Sequence, residues 1–100
     1  MNNIKKTSCI NGNGTSLQGY IVSKYEELVN TFGNPNDGPN ADYLDKTTCE
    51  WVLEYEENKF CTIYDYKMYT TPFDYYSWHI GGIDKECVEI LKKAIEERKK

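Results

Sequence analysis

Residues 60–84 read FCTIYDYKMYTTPFDYYSWHIGGID, and this stretch decides the fold. Apolar and polar residues alternate through 60–68, the period of a half-buried strand. YTTPFD at 69–74 is a turn by composition, and residues 75–80 return as a further strand. Gly81 and Gly82 break that strand. Asp84 then supplies a helix N-cap, with Ile83 before it in the staple position. Five Tyr, one Phe and one Trp fall between Tyr64 and Trp78, half of the aromatic residues in the chain.

Upstream, residues 47–55 also alternate. Cys49, Trp51, Leu53 and Tyr55 point one way, and Thr48, Glu50, Val52 and Glu54 the other. With residues 57 and 58 as the hairpin loop, Trp51 faces Tyr64, Leu53 faces Thr62 and Tyr55 faces Phe60 on the core side. Val52, Ile63, Asp65 and Lys67 then share the opposite side with Glu50 and Glu54. A one-residue bulge reverses the assignment, because the side-chain period is two. Downstream, Cys87, Val88, Leu91, Ala94 and Ile95 form the apolar stripe of a helix whose last residues, 96–100, read as a frayed charged tail.

Earlier in the chain, LQGYIV at 17–22 reads as a strand, with Gly19 marking a bulge or a close approach. Ser23 and Glu26 fit a capping box. Tyr25, Leu28, Val29 and Phe32 make the stripe of a short helix that Gly33 and Pro35 end. Residues 34–43 form a loop, and residues 1–15, with NGNG, a flexible arm. The predicted fold is α+β: a two-layer sandwich, order β-α-β-β-β-α, with two helices on one face of an antiparallel sheet. Residues 16–100 make the one domain.

A composition of 39% hydrophobic and 28% charged residues is that of an ordinary globular chain. The net charge of −4 argues against non-specific nucleic-acid binding, which needs Lys and Arg on phosphates. The first residues lack the apolar run of a secretory signal. No window approaches the ~18 apolar residues of a membrane span. These features predict an intracellular protein, with no membrane partner. Cys9, Cys49, Cys61 and Cys87 are scattered without a close pair, which predicts reduced thiols, no metal and no cofactor.

Several constellations bear on chemistry. The order α-β-β-β-α is that of a double-stranded-RNA-binding domain, but the last helix starts DKECVE, acidic where such a domain needs cations. Gly81-Gly82 before a helix offers bare amides to an anion, or simply a tight turn. His79 and Asp65, on one face, would make a general-base pair, although no nucleophile accompanies them. The tyrosine cluster carries the strongest signal. Tyr64, Tyr66 and Trp78 would stack on a ligand, Lys67 and the Gly81-Gly82 amides would meet negative charge, and His79 would hydrogen-bond.

LQGYI at 17–21, FGNP at 32–35, Asp45-Lys46 with Trp51, IYDYK at 63–67 and WHIGG at 78–82 form a pattern over residues 17–95. It resembles small uncharacterised proteins encoded by bacteriophages and large DNA viruses. The resemblance implies a viral accessory protein in the host cytoplasm. Its implied role is non-enzymatic: binding a host defence protein, or sequestering a small anionic nucleotide signal. The alternatives are a host-protein interaction module without a small ligand and an RNA-binding module. Val52 and Ile63, with Cys61 as a further candidate, also form an apolar stripe opposite the helices, and the first strand has no obvious partner in the meander, which together predict a homodimer through paired sheet faces or joined edges.

Overall fold

The computed structural model describes residues 4–42, 44 and 46–99. Tyr43, at the end of the expected loop, and Asp45, part of the motif pattern, lie outside them, as do Met1, Asn2, Asn3 and Lys100. Five strands and two helices follow in chain order: β1 (Lys5–Lys6), β2 (Ser16–Ser23), α1 (Tyr25–Phe32), β3 (Glu50–Glu56), β4 (Lys59–Tyr64), β5 (Tyr76–Gly82) and α2 (Glu86–Lys99). The fold is α+β, with one antiparallel sheet in the order β1-β3-β4-β5-β2. The predicted order is met from β2 onward, and β1 precedes it. Among the described residues no helix is long and apolar enough to cross a membrane.

The two helical stripes meet the sheet as their periodicity dictates. Leu28 of α1 and Cys87, Val88, Leu91 and Ile95 of α2 join Trp51, Leu53, Trp78 and Ile80 in one core cluster, with Phe32 packed against it. The Trp51 and Trp78 rings meet edge to face at 5.6 Å. Each buried indole needs a partner for its N–H. Trp51 Nε1 donates to Gly33 O at 2.9 Å, and Trp78 Nε1 to Ser23 O at 3.0 Å. Both acceptors flank α1, so the two tryptophans fix that helix at its ends.

The capping of α1 is shifted by one residue from expectation. Glu27, not Glu26, closes it: its carboxylate accepts the Lys24 N–H at 3.1 Å and the Ser23 hydroxyl at 2.9 Å. The Lys24 amide bond, first among these partners, holds the Glu27 carboxyl below the usual carboxylate range. Asp84 Oδ1 accepts the Glu86 N–H at the start of α2, as predicted, while Ile83 is 62% exposed and staples nothing. The tail continues as helix to Lys99, where Arg98 Nε donates to Asn30 O and Lys99 pairs with Glu27.

A bulge between Glu54 and Glu56 reverses the predicted faces of β4. Trp51 pairs with Ile63 and Leu53 with Cys61, one residue away from the expected register. Cys61 and Ile63 therefore turn into the core at 0% exposure, while Thr62 and Tyr64 turn to the outer face, away from the helices. The predicted dimer stripe does not exist in this form. Two of its three residues are core, and the third, Val52, is covered from the other side.

Residues 4–15 supply that cover, where a flexible arm was expected. Lys5 and Lys6 pair with Glu54 and Leu53, and the Thr7 N–H donates to Val52 O at 3.0 Å. A 3-10 turn, Cys9–Gly12, then lies over β3 and β4. Gly12 sits so close that a Cβ there would come within 3.2 Å of Thr62 Cγ2 and 3.5 Å of Val52 Cγ2.

The glycine pair does not break β5. Gly81 pairs with Thr62 and Leu17, and Gly82 with Cys61 and Ser16, so both lie inside the sheet. Glycine is needed there for space. A Cβ on Gly81 would stand 2.5 Å from Thr62 Oγ1, and one on Gly82 2.5 Å from Cys87 Sγ.

Candidate functional site

Register brings the site together. Glu50 of β3 pairs with Tyr64 of β4, Tyr64 with His79 of β5, and His79 with Tyr20 of β2. These four residues form a row across four neighbouring strands on the outer face. The His79 ring is the hub. It meets Tyr20 edge to face at 4.8 Å, Tyr64 at 5.4 Å, Tyr66 at 5.4 Å and Tyr76 at 6.4 Å between centroids. Tyr76 Oη accepts the Tyr66 N–H at 3.1 Å, which ties the segment after β4 to the first residue of β5. Tyr20 is 49% and Tyr66 38% exposed, so the platform has open faces for a flat ligand.

His79 is held neutral. Burial pushes its pKa below the ordinary value, opposed by the charge of Asp65. Its Nδ1 is buried and has no hydrogen-bond partner among the described residues. A protonated ring would bury that N–H unpaired, which costs free energy. The neutral ring keeps its single proton best on Nε2, leaving Nδ1 as the bare lone pair. Burial, then Glu50, pushes the Tyr64 hydroxyl up in pKa, so Tyr64 stays a neutral donor. Glu50 itself is raised, by burial first and by Asp37 second.

Asp65 does not serve His79 as a general-base partner. It is fully buried and structural. Its Oδ1 accepts the N–H of Thr48 at 2.7 Å and of Cys49 at 3.1 Å, and its Oδ2 accepts the Thr48 hydroxyl. Thr48 Oγ1 lies 2.8 Å from Thr71 Oγ1, and Thr71 exchanges two bonds of 2.7 Å with Asn40. One carboxylate thus binds together the loop before β3, the end of β4 and the segment leading to β5. Those bonds end β4 at Tyr64, where the sequence predicts a strand to residue 68.

Lys67 follows at φ +56°, with its N–H on Lys46 O at 2.7 Å and its Nζ 5.3 Å from the centre of the Tyr66 ring. Beside it is an open cavity of about 370 Å³, lined by Lys46, Thr47, Lys67, Met68 and Tyr69 among others. Lys67 therefore adjoins the aromatic platform through Tyr66, and Lys46 shares the cavity beside it with Asp42.

Of the residues predicted for the site, Tyr64, Tyr66, His79 and Lys67 gather here. Trp78 does not. It points into the core at 0% exposure, because its neighbour His79 points out. Gly82 turns to the helix side against Cys87, and Gly81 lies on the outer face under Thr62 and Thr15. Strands flank both glycines, which argues against the expected anion-binding turn. The predicted contacts leave out Tyr20 and Lys46, while Tyr76 belongs to the tyrosine cluster already singled out. The alternation of Tyr20 against Ile21 was visible, but the pairing of β2 with β5 that carries it to His79 was not.

Among the described residues no group of three or more His, Cys, Asp or Glu is placed to hold a metal ion. Cys49, Cys61 and Cys87 are buried thiols and Cys9 is exposed. Burial pushes Cys49 up to about 12 and raises Cys61 and Cys87 as well, which suppresses the thiolate. Compared with protein-family models, with curated proteins and with solved structures, the chain finds no match in any of the three.

Proposed function

We propose that this chain is a non-enzymatic binding protein that takes a planar, anionic ligand of the nucleotide type on its outer sheet face. The observation that carries the reading is the transverse row Tyr64–His79–Tyr20, with Tyr66 beside it. Tyrosines on adjacent strands offer π-faces to a base, each stack being worth about 1–3 kcal/mol. Neutral His79 and the Tyr64 hydroxyl add donors for ring nitrogens or carbonyls. Lys67 and Lys46 supply positive charge one ring away, where a phosphate would sit. The likeness of IYDYK and WHIGG to virus-encoded proteins supports a role in withdrawing a host signal, with the host cytoplasm as its place of action.

Calorimetric titration with nucleoside monophosphates, cyclic dinucleotides and ribose 5-phosphate tests this. Base-containing probes should bind and ribose 5-phosphate should not. Tyr66→Ala should weaken binding about 5- to 150-fold, the equivalent of one lost stack. No binding by any base-containing probe at millimolar concentration overturns the reading.

Exposed Tyr69, Phe73 and Tyr75 in the segment before β5 support a second reading, a docking surface for a host protein. Binding lost on changing Phe73 and Tyr75, and unaffected by Tyr66→Ala, would select it.

A further inference from the structure

We propose that β2 is an edge through which two copies of this chain pair, antiparallel about a two-fold axis at Ile21, to join their sheets into one. The inference is argued from strand pairing and not from the ligand reading, with which it shares Tyr20, and of the two expected dimer modes it selects the joined edge.

The two borders of the sheet are built differently. On the β3 side residues 50–54 are closed. Lys5 and Lys6 pair with Glu54 and Leu53, and the Thr7 N–H takes Val52 O. Asn36 Oδ1 accepts the Val52 N–H at 2.9 Å, and the Asp37 backbone exchanges bonds of 3.1 and 2.9 Å with Glu50. The covering strand, β1, is only two residues long and both are lysines. Short, charged edges of this kind resist pairing with other chains.

β2 has none of these protections over most of its length. It runs for eight residues, SLQGYIVS, without a charge or a proline. Among the described residues no segment pairs with its outer side. A bulge between Leu17 and Gly19 at one end, and the burial of Ser23 at the other, leave residues 19–22 as the open regular stretch.

That stretch is complementary to itself. Antiparallel pairing centred on Ile21 sets Tyr20 opposite the partner's Val22, and Val22 opposite the partner's Tyr20. An aromatic facing a β-branched residue is a favoured cross-strand pair. These two side chains are 49% and 68% exposed in the single chain. With no charge in the strand, two copies meet without like-charge repulsion. Beside the edge, a groove of about 380 Å³ between β2 and α2 carries Glu96 with Lys92 and Lys99, so each copy presents both signs to the other.

Sedimentation or light scattering of the full chain, followed to about 1 mM, where even a dissociation constant of about 1 mM leaves half the chains paired, gives the first result. The expected mass is twice 11.7 kDa, and a mass of 11.7 kDa throughout overturns the proposal. Val22→Lys should give a monomer with the circular dichroism of the parent. A Val22→Lys chain that stays dimeric overturns the edge assignment. Tyr20→Glu alone should likewise be monomeric. Mixing Tyr20→Glu with Val22→Lys should restore a mixed dimer, because position 20 of one copy faces position 22 of the other. Failure of the mixture to associate overturns the Ile21 register.

Discussion

Asp65→Ala and Asp65→Asn should separate sharply, and the difference can be worked from geometry. The carboxylate accepts three buried bonds, from the Thr48 N–H, the Cys49 N–H and the Thr48 hydroxyl. Bonds to an ionised group contribute about 1.5 kcal/mol each at the low end, so Asp65→Ala should cost roughly 4–5 kcal/mol. Asparagine keeps an oxygen where Oδ1 stands, so both amide bonds survive as neutral ones. The Thr48 hydroxyl can reverse to accept from the new amide and donate to Thr71 Oγ1, 2.8 Å away. The remaining loss is the charge assistance on two bonds, about 1–2 kcal/mol in total. Urea unfolding followed by tryptophan emission suits the test, since Trp51 and Trp78 are both fully buried and report the core. The midpoint should shift with an unchanged slope. A loss below about 1 kcal/mol for Asp65→Ala would show that the three bonds are not what anchors the segment. Equal losses for the two variants would refute the acceptor geometry, leaving charge alone as the cause.

Two further outcomes follow from the same structure. His79 is held below its ordinary value of 6.5 by burial, so between that lowered value and pH 6.5 the unfolded chain binds a proton that the folded chain does not. Stability should therefore be full above pH 6.5 and decline as pH falls below it. His79→Gln should flatten this slope; an unaltered pH profile in that variant contradicts the burial argument. Gly81→Ala should cost about 1–3 kcal/mol through overpacking against Thr62, and Thr62→Ala should recover part of that loss in the double variant. Strict additivity of the two changes would show that Thr62 Oγ1 is not the obstacle.

Local chemistry made much of the fold legible. The stripes of both helices, the Asp84 cap, the period-two strand with Trp51 and Leu53 on the core side, and the hairpin between β3 and β4 all follow from spacing. Long-range pairing is where the reading stops. A single inserted residue at Tyr55 turns β4 over, and nothing in EWVLEYEENKF distinguishes the bulged hairpin from the regular one. The arm looked free because NGNG carries turn residues, yet the close approach of Gly12 to Val52 and Thr62 is what those small residues permit. Gly81 and Gly82 mark contact with neighbouring side chains rather than the end of a strand. At the site, the tyrosine-rich segment and His79 were visible as a cluster. Trp78 was misplaced because adjacent residues in a strand point to opposite faces and only the register says which is which. Tyr20 stands 59 positions before His79, and only strand order brings them into contact.

The closure of the β3 border would also set the stoichiometry of the pairing proposed for β2. Edge pairing is additive by nature: a sheet with two bare borders gains a neighbour on each and continues as a ribbon. Here β1, Asn36 and Asp37 occupy one border, so a single pairing through β2 uses up the other. Under the pairing proposed for β2, assembly along the sheet would end at two copies. Removing residues 1–15 would lift β1 from Glu54 and Leu53 and free Val52 O, giving each copy a second open stretch at 52–54, although Asn36 and Asp37 would still hold the Val52 N–H and Glu50. Such a truncated chain should lengthen into polymers rather than merely lose stability. If β2 pairs as proposed, the N-terminal segment would act as the chain terminator of that assembly.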